Sequence, residues 1–212
     1  MDYQKLVNIP SPIKLLLITD SKRFDNQQAM LNCIDEALEG GVDTILLREK
    51  HLDSAKLLSL ASKLRILTEQ HHAKLMIHSQ ADIAKAVNAD GVHVDAKSIS
   101  EMKQIKQWLG DAFLVSASCH DAVELTHAEN QGADFCFLSP VFPTQSHPGA
   151  PSLGAEQFLN LASQVNMPVI ALGGIEPDVI PLLQGHGVAT MGGILDAANP
   201  KQAASNLINI CQ

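Results

Sequence analysis

Short apolar runs alternate with longer segments of helical period along the whole chain. In the segment after the first run, for example, Met30, Leu31, Ile34 and Leu38 fall three or four residues apart, as on one face of a helix. The apolar runs themselves show little polar alternation, which is typical of parallel strands covered on their outer side. The eight runs are KLLLIT (14–19), TILL (44–47), KLMI (74–77), DGVHV (90–94), AFLVSA (112–117), DFCFLS (134–139), PVIAL (168–172) and VATM (188–191).

Eight strand-like runs, each followed by a helix-like segment, predict a single (β/α)8 TIM barrel in this chain of 212 residues. A doubly wound open sheet shows the same alternation. It usually needs fewer strands, however, and no GxGxxG motif follows the first run. We therefore expect an N-terminal extension over residues 1–12 and one barrel domain over residues 13–212.

The charge and composition of the chain limit the kinds of molecule that it is expected to bind. The formal net charge is −8 and no run of Lys or Arg stands out, which argues against nucleic acid or an anionic membrane surface. No apolar run is long enough to span a bilayer, and the first residues lack the pattern of a secretory signal, so we expect a cytoplasmic protein. A small anionic ligand stays possible, because backbone N–H groups bind phosphate without a basic patch.

Polar side chains collect where the predicted strands end. Active sites of this fold lie at the carboxyl ends of the strands, so these positions are the first candidates for function. They are Arg48, Glu49 and Lys50, His78 and Ser79, His93 and Asp95, Ser118, Cys119 and His120, Thr144, Ser146 and His147, and Gly173 and Gly174. The segment 143–152 is rich in Pro, Gly and Ser and long for its place, which suggests a lid over the site.

Two glycine pairs follow the last two predicted strands, in ALGGIEP (171–177) and MGGIL (191–195). Each lies between a strand and the expected first turn of a helix, with Pro177 in one of those turns. Their amides would bind one phosphate between the two strands, through Gly173 and Gly174 on one side and Gly192 and Gly193 on the other. The alternative is that the glycines only permit tight turns.

Five motifs of the chain form a recognisable set: LLREK (46–50), ADGVHV (89–94), SASCH (116–120), GADFCFLSPVFPT (132–144) and PVIALGGI (168–175). Together they resemble the thiamine-phosphate synthase/TenI superfamily. The chain looks most like the TenI-like, thiazole tautomerase domain that is found fused to Nudix hydrolases. The resemblance implies a role in thiamine biosynthesis and a small phosphorylated thiazole as ligand.

The chain departs from the synthase pattern at the positions that handle magnesium and pyrophosphate. The synthase joins a thiazole phosphate to a pyrimidine pyrophosphate with Mg²⁺. Here Leu46 replaces a glutamine, His78–Ser79 an Asn–Asp pair, Ser98 a second metal-binding aspartate, and His147 a lysine. Since serine hydroxyls do not supply the charge that Mg²⁺ requires, we expect no cofactor, and Mg²⁺ only if the synthase alternative holds.

The tautomerase interpretation puts the chemistry on His120, because the resemblance implies a histidine directly after the fifth strand. That residue would move a proton between C2 of the thiazole ring and its exocyclic carbon. Imidazole suits this step, since its ordinary pKa of about 6.5 lets it take and give a proton near neutrality. The alternative is a structural histidine that caps the next helix. Cys119 is interpreted as a bystander and not as a nucleophile. It is adjacent to His120 in the sequence, and the side chains of adjacent residues rarely face each other.

Several roles remain open from the residues alone. Arg48 and Lys50 would bind a substrate carboxylate, or they would pair with Glu49 or Asp95. A further set is expected to contact the substrate, with His147 either solvated or in contact with the ligand. That set is His78, Ser118, Thr144, Ser146 and His147. The chain is then a proton-transfer enzyme, a synthase, or a phosphate-binding regulatory barrel without chemistry, and a homo-oligomer is possible.

Overall fold

The computed structural model describes residues 13–144, 149 and 151–211, which form a closed barrel of eight parallel strands. The strands follow one another in chain order, and β8 closes the barrel by pairing with β1. Their bounds are β1 Leu15–Ile18, β2 Thr44–Leu47, β3 Lys74–His78, β4 Gly91–Val94, β5 Leu114–Cys119, β6 Phe135–Leu138, β7 Val169–Leu172 and β8 Val188–Thr190. The predicted (β/α)8 barrel is confirmed. The predicted extension over residues 1–12 lies outside the described residues.

Helices follow the strands on the outside of the barrel. They are α1 Gln27–Glu39, α2 Ser54–Gln70, α3 Ala81–Ala86, α4 Met102–Leu109, α5 Ala122–Asn130, α6 Gly154–Ala162, α7 Gly192–Leu195 and α8 Pro200–Ile210. Short 3₁₀ segments lie at 21–23, 96–101 and 180–183. No helix in the described part of the chain has the length and apolar character needed to cross a membrane.

The prediction of an α-helix directly after β7 is wrong. Pro177 lies in a turn, and only a 3₁₀ segment, Ile180–Leu183, follows before Gln184 takes a left-handed conformation. Pro181 explains the difference, because it has no N–H to donate and its ring clashes with the carbonyl four residues earlier in an α-helix. No α-helix dipole therefore points at the first glycine pair.

The barrel interior is apolar toward the amino ends of the strands and polar at the mouth, which is the end formed by their carboxyl ends. Inward side chains at the lower levels form a buried cluster that includes Leu16, Leu46, Met76, Phe135, Phe137 and Ile170. Outward strand residues pack under the helices in a second, larger core. Gly91 allows β4 to approach β5 closely, because a Cβ there would collide with the Leu114 carbonyl. Polar side chains that contact one another lie toward the carboxyl ends of β3, β4 and β5, namely His78, His93, Ser116 and Ser118.

Three aspartates tie the opposite end of the barrel together. Asp43, Asp90 and Asp134 directly precede β2, β4 and β6. Each carboxylate accepts a hydrogen bond of 2.7 Å from a backbone amide at the start of the preceding strand. These bonds satisfy amides that begin the strands, where a lost partner would be costly. These bonds stabilise the end of the barrel at which the strands begin, and in this fold the functional residues lie at the other end.

Candidate active site

Asp95 links two of the predicted site residues at the mouth. Lys50 Nζ lies 2.9 and 3.1 Å from its carboxylate oxygens, and His78 Nε2 lies 3.2 Å from Oδ1. Burial favours a raised pKa for Asp95, but the hydrogen bonds from Lys50 and His78 outweigh it and lower the pKa to about 2. Asp95 is therefore a carboxylate at neutral pH. Lys50 thus pairs with Asp95 and not with Glu49, the other partner that the sequence suggested.

The Arg48 side chain has no anionic partner within the described residues. Its backbone N–H donates to Thr19 Oγ1 at 3.0 Å, while its half-buried side chain lines a cavity of about 400 Å³ between the loops after β1 and β2. Glu49 does not neutralise it, because that buried carboxylate accepts from Ser21 N and Oγ at 2.9 and 2.7 Å. Arg48 is thus available to an anionic ligand.

His93 lies inside the barrel beneath the mouth and is only 2% exposed. Its ring stacks on Phe137 with the centroids 4.4 Å apart. Ser116 Oγ lies 2.9 Å from Nδ1 and Ser118 Oγ lies 2.8 Å from Nε2. Burial, with a smaller contribution from the neighbouring His78 ring, lowers the pKa of His93 to about 3, so the ring is neutral at physiological pH.

The sequence pattern placed His93 only among the polar side chains at the strand ends, and its bonds to the two serines were missed. A usable signal existed, because side chains two apart on a strand share a face, so Ser116 and Ser118 must point the same way. The contact also requires that β4 pair with β5 in the right register. In the structure that register places His93 opposite Ser116. That register was not available from the pattern.

His120 follows β5 directly, as predicted, and about half of its side chain is exposed. Nδ1 lies 2.9 Å from Glu124 Oε2, which also accepts the His120 backbone N–H at 2.7 Å. The capping role considered for His120 belongs to Asp121, whose carboxylate accepts the Glu124 N–H at the start of α5. The structure shows an imidazole oriented by a carboxylate, and its role in catalysis stays a prediction.

Cys119 faces away from the mouth. It is fully buried in the core under the helices. A hydrogen bond with Cys136, together with burial, raises the pKa of its thiol far above the ordinary value. Because the thiolate is the reactive form, this cysteine is unsuited to nucleophilic chemistry, in agreement with its interpretation as a bystander.

The first glycine pair packs against the loop after β6. Gly173 and Gly174 have φ values of +97° and +63°, which favour glycine. A Cβ at Gly173 would lie 3.0 Å from Pro140 Cβ, and one at Gly174 would collide with the Pro143 carbonyl. The tight-turn explanation therefore has a structural basis at these two positions.

The second glycine pair lies beside the first. A Cβ at Gly193 would come within 3.7 Å of the Ile175 carbonyl oxygen, so the two loops are neighbours. Within the described residues, the N–H groups of Gly174, Gly192 and Gly193 donate to no protein acceptor. This arrangement suits one anion between the loops, and phosphate binding there remains a prediction.

The loop after β6 is described only in part. Thr144 is half-buried, whereas Ser146 and His147 lie outside the described residues. Their predicted contacts with substrate, and the lid predicted over residues 143–152, therefore stay predictions.

The donor set at the mouth does not fit a magnesium ion held by the protein. Among the described residues, no three His, Cys, Asp or Glu side chains come together in a way that could hold a metal. Asp95 lies three residues before Ser98, and its carboxylate oxygens already accept from Lys50 and His78. Ser79 and Ser98 offer neutral hydroxyls, which are poor substitutes for the oxygen anions that Mg²⁺ prefers.

Comparisons with known proteins agree over nearly the whole barrel. The family model described as thiamine monophosphate synthase matches residues 15–195. The chain is 37% identical over 181 residues to a putative thiamine-phosphate synthase 2 of Aquifex aeolicus, covering 85% of this chain and 95% of that protein. It is 31% identical over 199 residues to a thiamine-phosphate synthase of Methanobrevibacter smithii, covering 92% and 94%.

The similarity extends to solved structures. A thiamine phosphate pyrophosphorylase from Pyrococcus furiosus superposes with a TM-score of 0.83 at 29% identity, covering 94% of this chain and 95% of that one. The two sequence relatives are named as thiamine-phosphate synthases, and none of the three proteins is named as a tautomerase. The finer likeness to domains fused to Nudix hydrolases stays a prediction. By the family match and by these relatives, the chain belongs to the thiamine monophosphate synthase family of thiamine biosynthesis.

Proposed function

We propose that the protein is a thiamine-phosphate synthase, joining a thiazole phosphate to a pyrimidine pyrophosphate. One observation of the site carries the proposal: two regions suited to anions lie on separate arcs of one mouth. Arg48 and Lys50 follow β2, while the glycine pairs follow β7 and β8. In the closed order of strands, β2 lies two strands from β8 and three from β7, so the cations and the glycine pairs occupy separate arcs of the rim. The names of the relatives support the same reaction.

The proposed reaction asks the protein for positioning and for charge. The thiazole nitrogen attacks the pyrimidine methylene carbon, a C–N bond forms, and the C–O bond to pyrophosphate breaks with its electron pair leaving on oxygen. Arg48, with Lys50 beside it, stabilises that departing anion, since preorganised cations act where charge develops. The free amides of the glycine pairs hold the thiazole phosphate. No step is assigned to a metal, because the donor set does not fit one.

The test is a coupling assay with the purified protein. Thiazole phosphate and pyrimidine pyrophosphate are mixed with the protein, with and without Mg²⁺, and thiamine phosphate and released pyrophosphate are measured. We expect both products in equal amounts, and no release of pyrophosphate when thiazole phosphate is left out. Binding of both substrates without any coupling, in either condition, would rule out the synthase.

The tautomerase is the second candidate, favoured by the carboxylate-oriented imidazole of His120 and by the poor metal donor set. Under this candidate, His120→Ala should lower the rate of aromatisation by about 10²- to 10⁴-fold, the usual contribution of a positioned general acid–base. Ligand binding should change far less, because backbone amides hold the phosphate. The assay follows aromatisation of freshly made thiazole tautomer.

Cys119→Ser is the matched control, since it alters the adjacent residue on the outer face. It should stay within about a few-fold of wild type, as expected for a side chain away from the reacting atoms. Unchanged activity in His120→Ala would remove this candidate. A wild-type protein that binds thiamine phosphate and accelerates neither reaction would instead identify a binding barrel of regulatory type.

A further inference from the structure

The inference concerns the buried imidazole of His93 and the two hydroxyls that flank it. Ser116 and Ser118 both point into the barrel from β5, one on each ring nitrogen, at 2.9 and 2.8 Å. Ser116 is fully buried, whereas Ser118 is partly exposed toward the mouth. The ring therefore connects a hydroxyl in the core with a hydroxyl at the site.

The His93 ring is neutral, so its two nitrogens differ. The ring is enclosed, and the charged groups that act on it are Arg48, Lys50 and Asp95, with the His78 ring 6.1 Å away. A neutral imidazole has one N–H donor and one acceptor nitrogen. One serine must therefore donate to the ring, and the ring must donate to the other.

Ser116 decides which nitrogen carries the proton. Within the described residues, its hydroxyl has a single hydrogen-bond partner, Nδ1 of His93. If Nδ1 were the donor, the Ser116 proton would be buried without an acceptor, and such a group carries the full cost of its desolvation. When Ser116 donates to Nδ1, only an oxygen lone pair is left unused, which is the smaller loss. The proton of the ring then lies on Nε2.

We propose that Ser116 holds His93 in its Nε2–H tautomer, and that His93 thereby orients Ser118 as a hydrogen-bond donor to an anionic oxygen of the ligand. With a lone pair of Ser118 Oγ accepting from Nε2, the hydroxyl proton of Ser118 is free to turn toward the mouth. A phosphate, pyrophosphate or carboxylate oxygen is the matching acceptor. His93 is thus a positioning residue, and the ligand part of the proposal rests on the proposed function.

The tautomer is measured on the protein alone. Long-range ¹H–¹⁵N correlation spectra of histidine-labelled protein distinguish a protonated from an unprotonated ring nitrogen, and the His93→Gln variant assigns the signal. We expect a protonated Nε2 and a bare Nδ1. His186 is an internal control with the proton expected on Nδ1. Its Nδ1 lies 3.0 Å from the Val169 carbonyl oxygen, which can only accept a hydrogen bond. A protonated Nδ1 on His93 would overturn the proposal.

The consequence for the ligand is measured with inorganic pyrophosphate and thiazole phosphate as probes. Ser118→Ala should weaken binding of at least one probe about tenfold or more, as for loss of a hydrogen bond to a charged group. Ser116→Ala leaves the Ser118 hydroxyl in place but removes the donor to Nδ1. We expect it to populate the other tautomer in the spectra and to weaken the same probe by a smaller factor.

The outcomes separate the inference from the proposed function. An Nε2–H ring with unchanged probe binding in Ser118→Ala would overturn the role of Ser118 as donor. If neither probe binds the wild-type protein, the proposed function fails together with the ligand part, while the spectra still decide the tautomer. His93→Gln offers an amide N–H in place of Nε2–H, and we expect it to retain more affinity than His93→Leu.

Discussion

Replacing Arg48 by alanine is expected to lower kcat/KM of the coupling reaction by about 10- to 100-fold. The guanidinium lines the mouth cavity and meets no carboxylate among the described residues, so a ligand anion is its natural partner. A charge-assisted hydrogen bond of this kind contributes about 1.5–3 kcal/mol, which corresponds to that range of rates. Steady-state kinetics, with isothermal titration of inorganic pyrophosphate, measure the loss.

Lys50 provides the matched comparison, because it stands two residues away and its ammonium already binds Asp95. We expect Lys50→Met to lose less than Arg48→Ala, and Arg48→Lys to fall between Arg48→Ala and the wild type, since lysine keeps the charge without the planar fork. Both Arg48 variants should fold normally, because the backbone N–H that bonds Thr19 is untouched. Arg48→Ala with wild-type kinetics would contradict the assignment.

Acid is expected to destabilise the protein through His93, beginning well above the range in which ordinary carboxylates are protonated. The pKa of this ring is about 3 in the folded protein, against about 6.5 in an unfolded chain. Below pH 6.5 the unfolded state therefore binds a proton at this ring, whereas the folded state does not. The free energy of unfolding consequently decreases as the pH is lowered. The loss from this ring is about 1.4 kcal/mol per pH unit, or roughly 2–3 kcal/mol between pH 6.5 and 4.5.

The measurement is urea unfolding of the wild type and of His93→Gln at several pH values across that window. The variant should show a smaller slope of stability against pH, because glutamine does not titrate. Burial also lowers the pKa values of His78 and His186, so a residual slope of the same sign is expected. His127→Gln, on the exposed side of α5, makes the same substitution outside the core. A His93→Gln curve parallel to the wild type would refute the expectation.

The sequence by itself determined the barrel and predicted the level at which its site would lie. Runs such as TILL (44–47) are apolar on both faces, and burial on both faces is a local property that composition and length record directly. Once eight such runs were counted, the rule that sites occupy strand carboxyl ends selected Arg48, His78 and Ser118 before any coordinates. The failure after β7 was local too, since Pro181 prevents the helix that the pattern suggested.

Only the tertiary structure decided which of those side chains act together. Lys50 and Asp95 are 45 residues apart, and the serines that bind His93 lie 23 and 25 residues beyond it. Such pairs depend on the register of neighbouring strands and on closure of the barrel, and a slip of one residue would turn every inward side chain outward. For this reason the sequence could name Arg48 and Lys50 as candidates, but only the folded barrel shows that Asp95 occupies Lys50, while Arg48 meets no carboxylate among the described residues.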